Sequence, residues 1–316
     1  MLTQDQIGKF QTDGYLVVED VIPADVLDRV QAEYSDVLNR LYDGWYKKGL
    51  VKEEPSGMTF WDKLLSAYQA GCDYFQPLDI SLPGDRIMAD TPFHIGPAVF
   101  DLLTAYPMLD IVEQLIGPEL VSNPIQHVRL KPPALKLTKD EVRAHITATD
   151  WHQDRAVALE DADQSDMVTV WIAVNDATVE NGCLQVLPKT RDQSILPHCA
   201  RTQTGIAEGF IDEDRALPLP VKAGGIILFD PLTPHASLVN ETDRFRWSFD
   251  IRFSAAGQPT GRDHFPSFIA RSRSCPETEL RDWRVCKANW ESARARLSGQ
   301  PHIDLHRWTS DSPFCA

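Results

Sequence analysis

The sequence predicts a mainly β protein with flanking helices, its strands forming a sandwich or jelly roll, and three patterns carry that expectation. The runs MVTVWIAV (167–174), CLQVL (183–187) and IILF (226–229) are rich in β-branched and apolar residues. They are bounded by turn formers at Glu180-Asn181-Gly182, Gly224-Gly225 and Asp230-Pro231. The stretch FRWSFDIRF (245–253) alternates strictly, with Phe245, Trp247, Phe249, Ile251 and Phe253 on one face and Arg246, Ser248, Asp250 and Arg252 on the other. Short strands at this spacing are the signature of antiparallel sheets closing over a common core.

Helical patterns flank that region. In the mostly helical N-terminal part, residues 1–120, Val26, Leu27, Val30, Tyr34, Val37, Leu38 and Leu41 recur at three- and four-residue spacing after Pro23, which suits a first helical turn. A second helix starts near Met108 and stops at Gly117-Pro118. Between them, residues 43–96 hold Trp45, Tyr46, Phe60, Trp61, Tyr68, Tyr74 and Phe75 without a sustained period. That segment reads as an irregular insertion, either a packing layer on the barrel or a lid over its mouth. Residues 121–255 form the expected jelly-roll core, and residues 256–316 a C-terminal helical extension. Within the extension, Trp283, Cys286, Trp290, Ala293 and Leu297 share one side of a helix over 279–298, with Gly299 past its end. No internal repeat or low-complexity tract divides the chain, so residues 1–316 read as a single domain.

Composition narrows the function. A net charge of −15 leaves no basic face for a phosphate backbone, which excludes nucleic acid as a partner. The polar, amphipathic start MLTQDQIGKFQTDGYLVVED does not read as a secretory signal, and no apolar run reaches the ~20 residues of a membrane span. The six cysteines, Cys72, Cys183, Cys199, Cys275, Cys286 and Cys315, make no CxxC pair and are expected to be reduced thiols in a cytoplasmic protein.

The stretch DWHQDRAVA (150–158) holds the chemistry. In an extended chain His152 and Asp154 project from one face, about 7 Å apart at their α-carbons. An imidazole nitrogen beside a carboxylate oxygen is the mixed ligand set of non-haem iron, and a third ligand completes a facial triad with open positions. His235, after a buried-looking strand and a tight turn, is the candidate third ligand. Arg246 and Ser248 follow on the polar face of the alternating strand. Two readings of that face stand side by side: a solvated surface, or the wall of a polar cavity where Arg246 grips a carboxylate with two parallel hydrogen bonds and Ser248 adds a donor.

HQD at 152–154, VTVWIAVNDATVENGCLQVLP at 168–188, GGIILFDPLTPHAS at 224–237 and RWS at 246–248 together resemble the phytanoyl-CoA dioxygenase family of iron(II)- and 2-oxoglutarate-dependent oxygenases. QIGKFQTDGYLVVEDVIP near the start and the KPP of Lys131 to Pro133 fit the same family, and the likeness covers roughly residues 3–255. The resemblance implies a cupin-like double-stranded β-helix, with iron(II) held by His152, Asp154 and His235. It also implies 2-oxoglutarate held at its distal carboxylate by Arg246 and Ser248, with Thr149, Trp171 and His127 lining the cosubstrate pocket; for His127 a buried structural role is the alternative. His94, His145, His198, His264, His302 and His306 match no motif position and are read as structural or exposed.

The activity so implied is hydroxylation of an unactivated C–H bond in a small or mid-sized metabolite, using O2 and releasing succinate and CO2. The same centre supports desaturation, epimerisation or ring rearrangement, and a cupin-like metal protein without 2-oxoglutarate is a third class. The chain departs from the family at Pro188-Lys189-Thr190, where a glycine-serine-histidine turn is common. Its acidic balance gives no support for a CoA thioester, and the aromatic insertion points instead to a partly apolar substrate.

Overall fold

The computed structural model describes residues 1–134, 149–189, 193–200, 204–305, 307–309 and 311–315. Expectations for His145, Thr190 and His306 lie outside the described residues.

Helix α1 (Gln4–Asp13) is closed at its start by a reciprocal Thr3/Gln6 capping box and ends at Gly14 in the left-handed region, φ 76°. A Cβ at position 14 would lie 2.2 Å from Thr233 Oγ1, so glycine both ends the helix and lets β1 (Tyr15–Val18) enter the sheet. Helix α2 (Ala24–Lys47) buries Leu27, Val30, Tyr34, Val37, Leu38 and Tyr42, and so runs on into the segment expected to be irregular. That segment also forms α3 (Phe60–Gln69) and α4 (Phe75–Leu78). The overlooked signal is Thr59 with Asp62, a capping box that starts α3. Phe60 stacks on Trp247 with ring centroids 5.4 Å apart, and Trp61 on Phe245 at 6.0 Å. These aromatics are therefore a packing layer on the helical side of the barrel. Helix α5 (Pro97–Leu103) precedes α6 (Tyr106–Ile116), which stops at Gly117 with φ 94° as its sequence predicts.

Strand β2 (Glu119–Lys131) follows, then the short α7 (Asp154–Val157) and β3 (Met167–Ala173). The rest of the barrel comprises β4 (Leu184–Val186), β5 (His198–Ala200), β6 (Thr204–Ile206), β7 (Leu217–Leu219), β8 (Ile226–Phe229), β9 (His235–Ser237), β10 (Arg246–Ala255) and β11 (Phe268–Ser272). The major sheet has the order β1-β8-β3-β10-β2-β11, the minor one β7-β4-β9, and β5 pairs with β6. Every pairing is antiparallel. Leu184, Val186 and Leu219 from the minor sheet pack on Trp171, Ile227 and Phe229 from the major one, giving the expected jelly roll. On the other face of the major sheet, Tyr34, Leu64, Phe100 and Met108 pack against Val170, Leu228, Trp247 and Phe249. Helix α8 (Trp283–Ser298), capped by Asp282, adds Trp290 to this layer; it starts later than the predicted 279.

Strand β10 settles the two readings of its polar face. Phe249 and Ser248 are both 0% exposed, Arg246 is 2% and Arg252 3% exposed, so the strand is buried on both sides. Its apolar face meets the helices, and its charged face looks into the space between the sheets.

The cysteine expectation is corrected. Cys199 and Cys315 form a disulfide across 116 residues, a pairing made by the tail returning to β5, with no local spacing to announce it. Cys72, Cys183 and Cys286 are buried thiols and Cys275 an exposed one. Among the described residues no helix is long and apolar enough to cross a membrane.

Phe249 sits at the centre of the helix-to-sheet core, edge-on to Tyr34 at 5.9 Å. Phe249→Ala is expected to cost about 3–5 kcal/mol, read as a lower urea midpoint at unchanged slope.

Candidate metal centre and active site

At β9, an edge of the minor sheet, His152 and His235 exchange backbone hydrogen bonds, N to O at 3.0 Å in both directions. This antiparallel bridge places both imidazoles side by side, with ring centroids 4.3 Å apart. The chain is extended only as far as Gln153; it then turns into α7, so Asp154 reaches the site from a first helical position and not from a continuing strand. Both histidines hydrogen-bond through Nδ1 to a carbonyl two residues upstream, His152 to Asp150 O at 2.9 Å and His235 to Thr233 O at 3.0 Å. A carbonyl only accepts, so Nδ1 carries the proton and each Nε2 offers a lone pair. Those Nε2 atoms stand 3.7 and 3.8 Å from the two oxygens of Asp154. One ligand atom from each residue falls within 4.8 Å of the others.

The surroundings hold the donors in the forms a metal needs. Burial, reinforced by His235, lowers His152 to about 3, so its imidazole is neutral at physiological pH. Burial alone would raise Asp154, but Arg252, His235, His152 and the Thr169 hydroxyl outweigh it and hold the carboxyl well below the usual carboxylate range. Thr169 Oγ1 donates to Asp154 Oδ2 at 2.5 Å, and Arg252 Nη2 donates to Oδ1. Two imidazole nitrogens and one fixed carboxylate are a hard nitrogen and oxygen set that suits iron(II) and leaves further coordination positions open.

Beside this centre lies a chamber of about 40 Å³ lined by Thr149, Trp171, Phe229, His235 and Arg246, among others. Arg246 is buried over the face of Trp171, 5.1 Å from the ring centroid, and donates from Nη1 to Ser248 Oγ at 3.1 Å. Its Nε has no hydrogen-bond partner, and burial pulls the guanidinium down to about 10, still charged at neutral pH. A buried cation with an unused donor fits a carboxylate. Thr149 is fixed by its backbone N–H to Ser237 Oγ at 2.7 Å, and the same hydroxyl receives Lys131 Nζ at 2.6 Å. His127 lies elsewhere, in the wall of the larger cavity, with Nδ1 2.9 Å from Asp79 Oδ2.

That larger cavity, about 400 Å³, shares Arg129, Thr149, His152 and Asp250 with the chamber and extends outward past Leu82, Ile125, Phe265, Leu305 and Trp308. Leu305 and Trp308 from the tail form part of its wall; Arg307 pairs with Asp163 at 2.5 Å, and Trp308 Nε1 donates to Ala156 O at 2.8 Å.

Several residues at the site lie outside the sequence motifs. Gln153, between the two ligands, donates to Ser194 O and Leu232 O and accepts from Leu196 N, all within 3.0 Å. Its backbone N–H donates to Nε2 of His198, which is 0% exposed and therefore a buried strut for the metal segment. Of the other histidines, His94 pairs with Glu33 at 2.7 Å, His264 is half-buried and His302 exposed. Arg252 and Arg129 add charge to the lining of the larger cavity, and Lys131 braces Ser237. The readable signal for the last two was the alternation QHVRLK in β2, polar at 127, 129 and 131.

The fold and the donor set define a non-haem iron, 2-oxoglutarate-dependent oxygenase. More particularly, the chain belongs to the phytanoyl-CoA dioxygenase (PhyH) family, which matches residues 10–248. A mouse phytanoyl-CoA dioxygenase domain-containing protein 1 is 23% identical, over 84% of this chain and 98% of its own. The human peroxisomal phytanoyl-CoA dioxygenase is also 23% identical, over 81% of this chain and 69% of its own. Among solved structures, the apo non-haem monooxygenase ThoJ superposes with a TM-score of 0.60 at 19% identity, covering 94% of this chain and 98% of that one. EvdO2 from Micromonospora carbonacea var. aurantiaca, complexed with 2-oxoglutarate, gives 0.53 at 23% identity, over 81% and 92%. Iron(II) and 2-oxoglutarate are accordingly its metal and cosubstrate.

The His198 strut makes a pH prediction. Burial lowers its imidazole to about 4, against about 6.5 in the unfolded chain. The unfolded state takes up the proton first, so stability present above pH 6.5 is lost as pH falls toward 4, by at most roughly 3 kcal/mol. In metal-free protein, His198→Gln, which keeps an acceptor for Gln153, should lose less stability over that window than the wild type, measured by urea unfolding.

Proposed function

We propose that the protein hydroxylates an unactivated C–H bond of a small or mid-sized, partly apolar metabolite. One atom of O2 enters the product alcohol and the other enters succinate, as 2-oxoglutarate loses CO2. In this reading His152, Asp154 and His235 hold iron(II), which supplies the oxygen-activating chemistry when bound. Arg246 takes the distal carboxylate of 2-oxoglutarate, Ser248 orients the guanidinium, and Thr149 and Trp171 shape the chamber. His127, held by Asp79, belongs to the substrate wall. Arg252 and Thr169 keep Asp154 ionised and in place, and the apolar outer wall excludes water from the reacting bond. The observation that carries the proposal is the meeting of three metal donors with a buried, under-used Arg246 around the small chamber that adjoins the larger cavity. We read residues 1–316 as one oxygenase domain acting in the cytoplasm, a reading that four free thiols support.

His235→Ala should lose both stoichiometric iron and succinate formation; retention of both removes His235 from the metal site. Arg246→Ala is expected to raise the 2-oxoglutarate requirement by the equivalent of roughly 2–5 kcal/mol, because it deletes a buried partner of a charged group. Arg244→Ala is the control: its side chain is 90% exposed and should leave that requirement unchanged.

A further inference from the structure

The charged side chains around the larger cavity are mostly occupied. Arg252 donates to Asp154 and to Ile125 O, Arg262 to the carbonyls of Gly261 and Val157, and His127 is held between Asp79 and Ser81. Two groups differ. Arg129 Nη1 is buried without a hydrogen-bond partner, the guanidinium resting only over the Phe75 ring at 5.8 Å. Asp250 Oδ1 is likewise buried without one; its nearest cationic atom, Arg252 Nη1, stands 3.8 Å away. In the register of β2 with β10, Ser248 faces Arg129 and Asp250 faces His127, so Arg129 and Asp250 are diagonal neighbours on one inner face. Both line the small chamber and the larger cavity, at the junction where a substrate would approach the metal.

Buried polar atoms without hydrogen bonds are costly, and a guanidinium and a carboxylate that each keep such an atom on one cavity wall are satisfied by a ligand carrying both complements. We propose that Arg129 and Asp250 recognise the primary substrate as a zwitterion: an α-amino acid or close derivative, its carboxylate on Arg129, its ammonium on Asp250, and its apolar body in the pocket of Leu82, Ile125, Phe265 and Trp308. This rests on the oxygenase reading and names the substrate class for it. Volume agrees, since about 400 Å³ lies at the small end of ligand pockets.

The test uses iron-loaded protein under argon and calorimetric titration. 2-Oxoglutarate is added first, then apolar α-amino acids from leucine to tryptophan, each beside its carboxamide. The wild type should bind at least one free acid about ten-fold or more tighter than its amide, the discrimination of a charge-assisted contact. Arg129→Gln should erase that preference while still binding 2-oxoglutarate, which also certifies its folding, and Asp250→Asn should weaken the free acid against its N-acetyl derivative. Absence of 2-oxoglutarate binding by the wild type overturns the oxygenase reading and this inference with it. If 2-oxoglutarate binds but no acid is preferred over its amide, only the substrate class falls. Loss of 2-oxoglutarate binding in Arg129→Gln protein that retains wild-type circular dichroism assigns Arg129 to the cosubstrate and likewise overturns it.

Discussion

Strand β10 is buried on both faces, and the rest of the site follows from that constraint. A strand between a helical layer and a second sheet cannot turn charge toward bulk water, so each charged residue on its inner face must find a partner inside. Arg252 finds the carboxylate of Asp154, and Arg246 finds a hydroxyl and the face of an indole. Asp250 finds no hydrogen bond for one of its oxygens, which stands 3.8 Å from Arg252. The strand thus sorts its own residues into one that supports the Asp154 carboxylate and others that keep a buried polar atom without a hydrogen bond.

The metal donors owe their placement to backbone more than to side chains. His152 and His235 belong to segments that pair as neighbouring strands, and the paired carbonyls of Asp150 and Thr233 then set which ring nitrogen faces inward. Asp154 arrives by a change from strand to helix immediately before it, and Gln153 and His198 pin that change in place. A ring orientation fixed by main-chain atoms is present before any metal binds, so little ordering remains to oppose binding.

Much of this was legible in the residues. The alternation at 245–253 announced β10 and its two faces, and the ordered motifs from His152 to Ser248 named the donor candidates. Which way the polar face looked was not legible, because alternation is the same for a solvated strand and for one lining a cavity; only the opposing β4 and β9 decide it. The helices in 43–96 were masked by glycine and proline, although Thr59 and Asp62 carried a local start signal. The Cys199–Cys315 pair and the His198 strut are contacts across long stretches of chain, where spacing carries no information.

The tail that walls the cavity is attached in a way that bears on how such an enzyme changes over time. Apart from the Arg307 pair with Asp163, its polar attachments near the metal segment go to main-chain carbonyls: Trp308 to Ala156 and Arg307 to Ala158. A carbonyl is present whatever the side chain, so the barrel need not co-vary with the tail that covers it. Replacing Leu305 redraws the outer contour of the pocket while the donors at 152, 154 and 235 keep their neighbours. The outer contour of the pocket and the metal donors lie on different stretches of one chain, which leaves that contour room to change one short segment at a time.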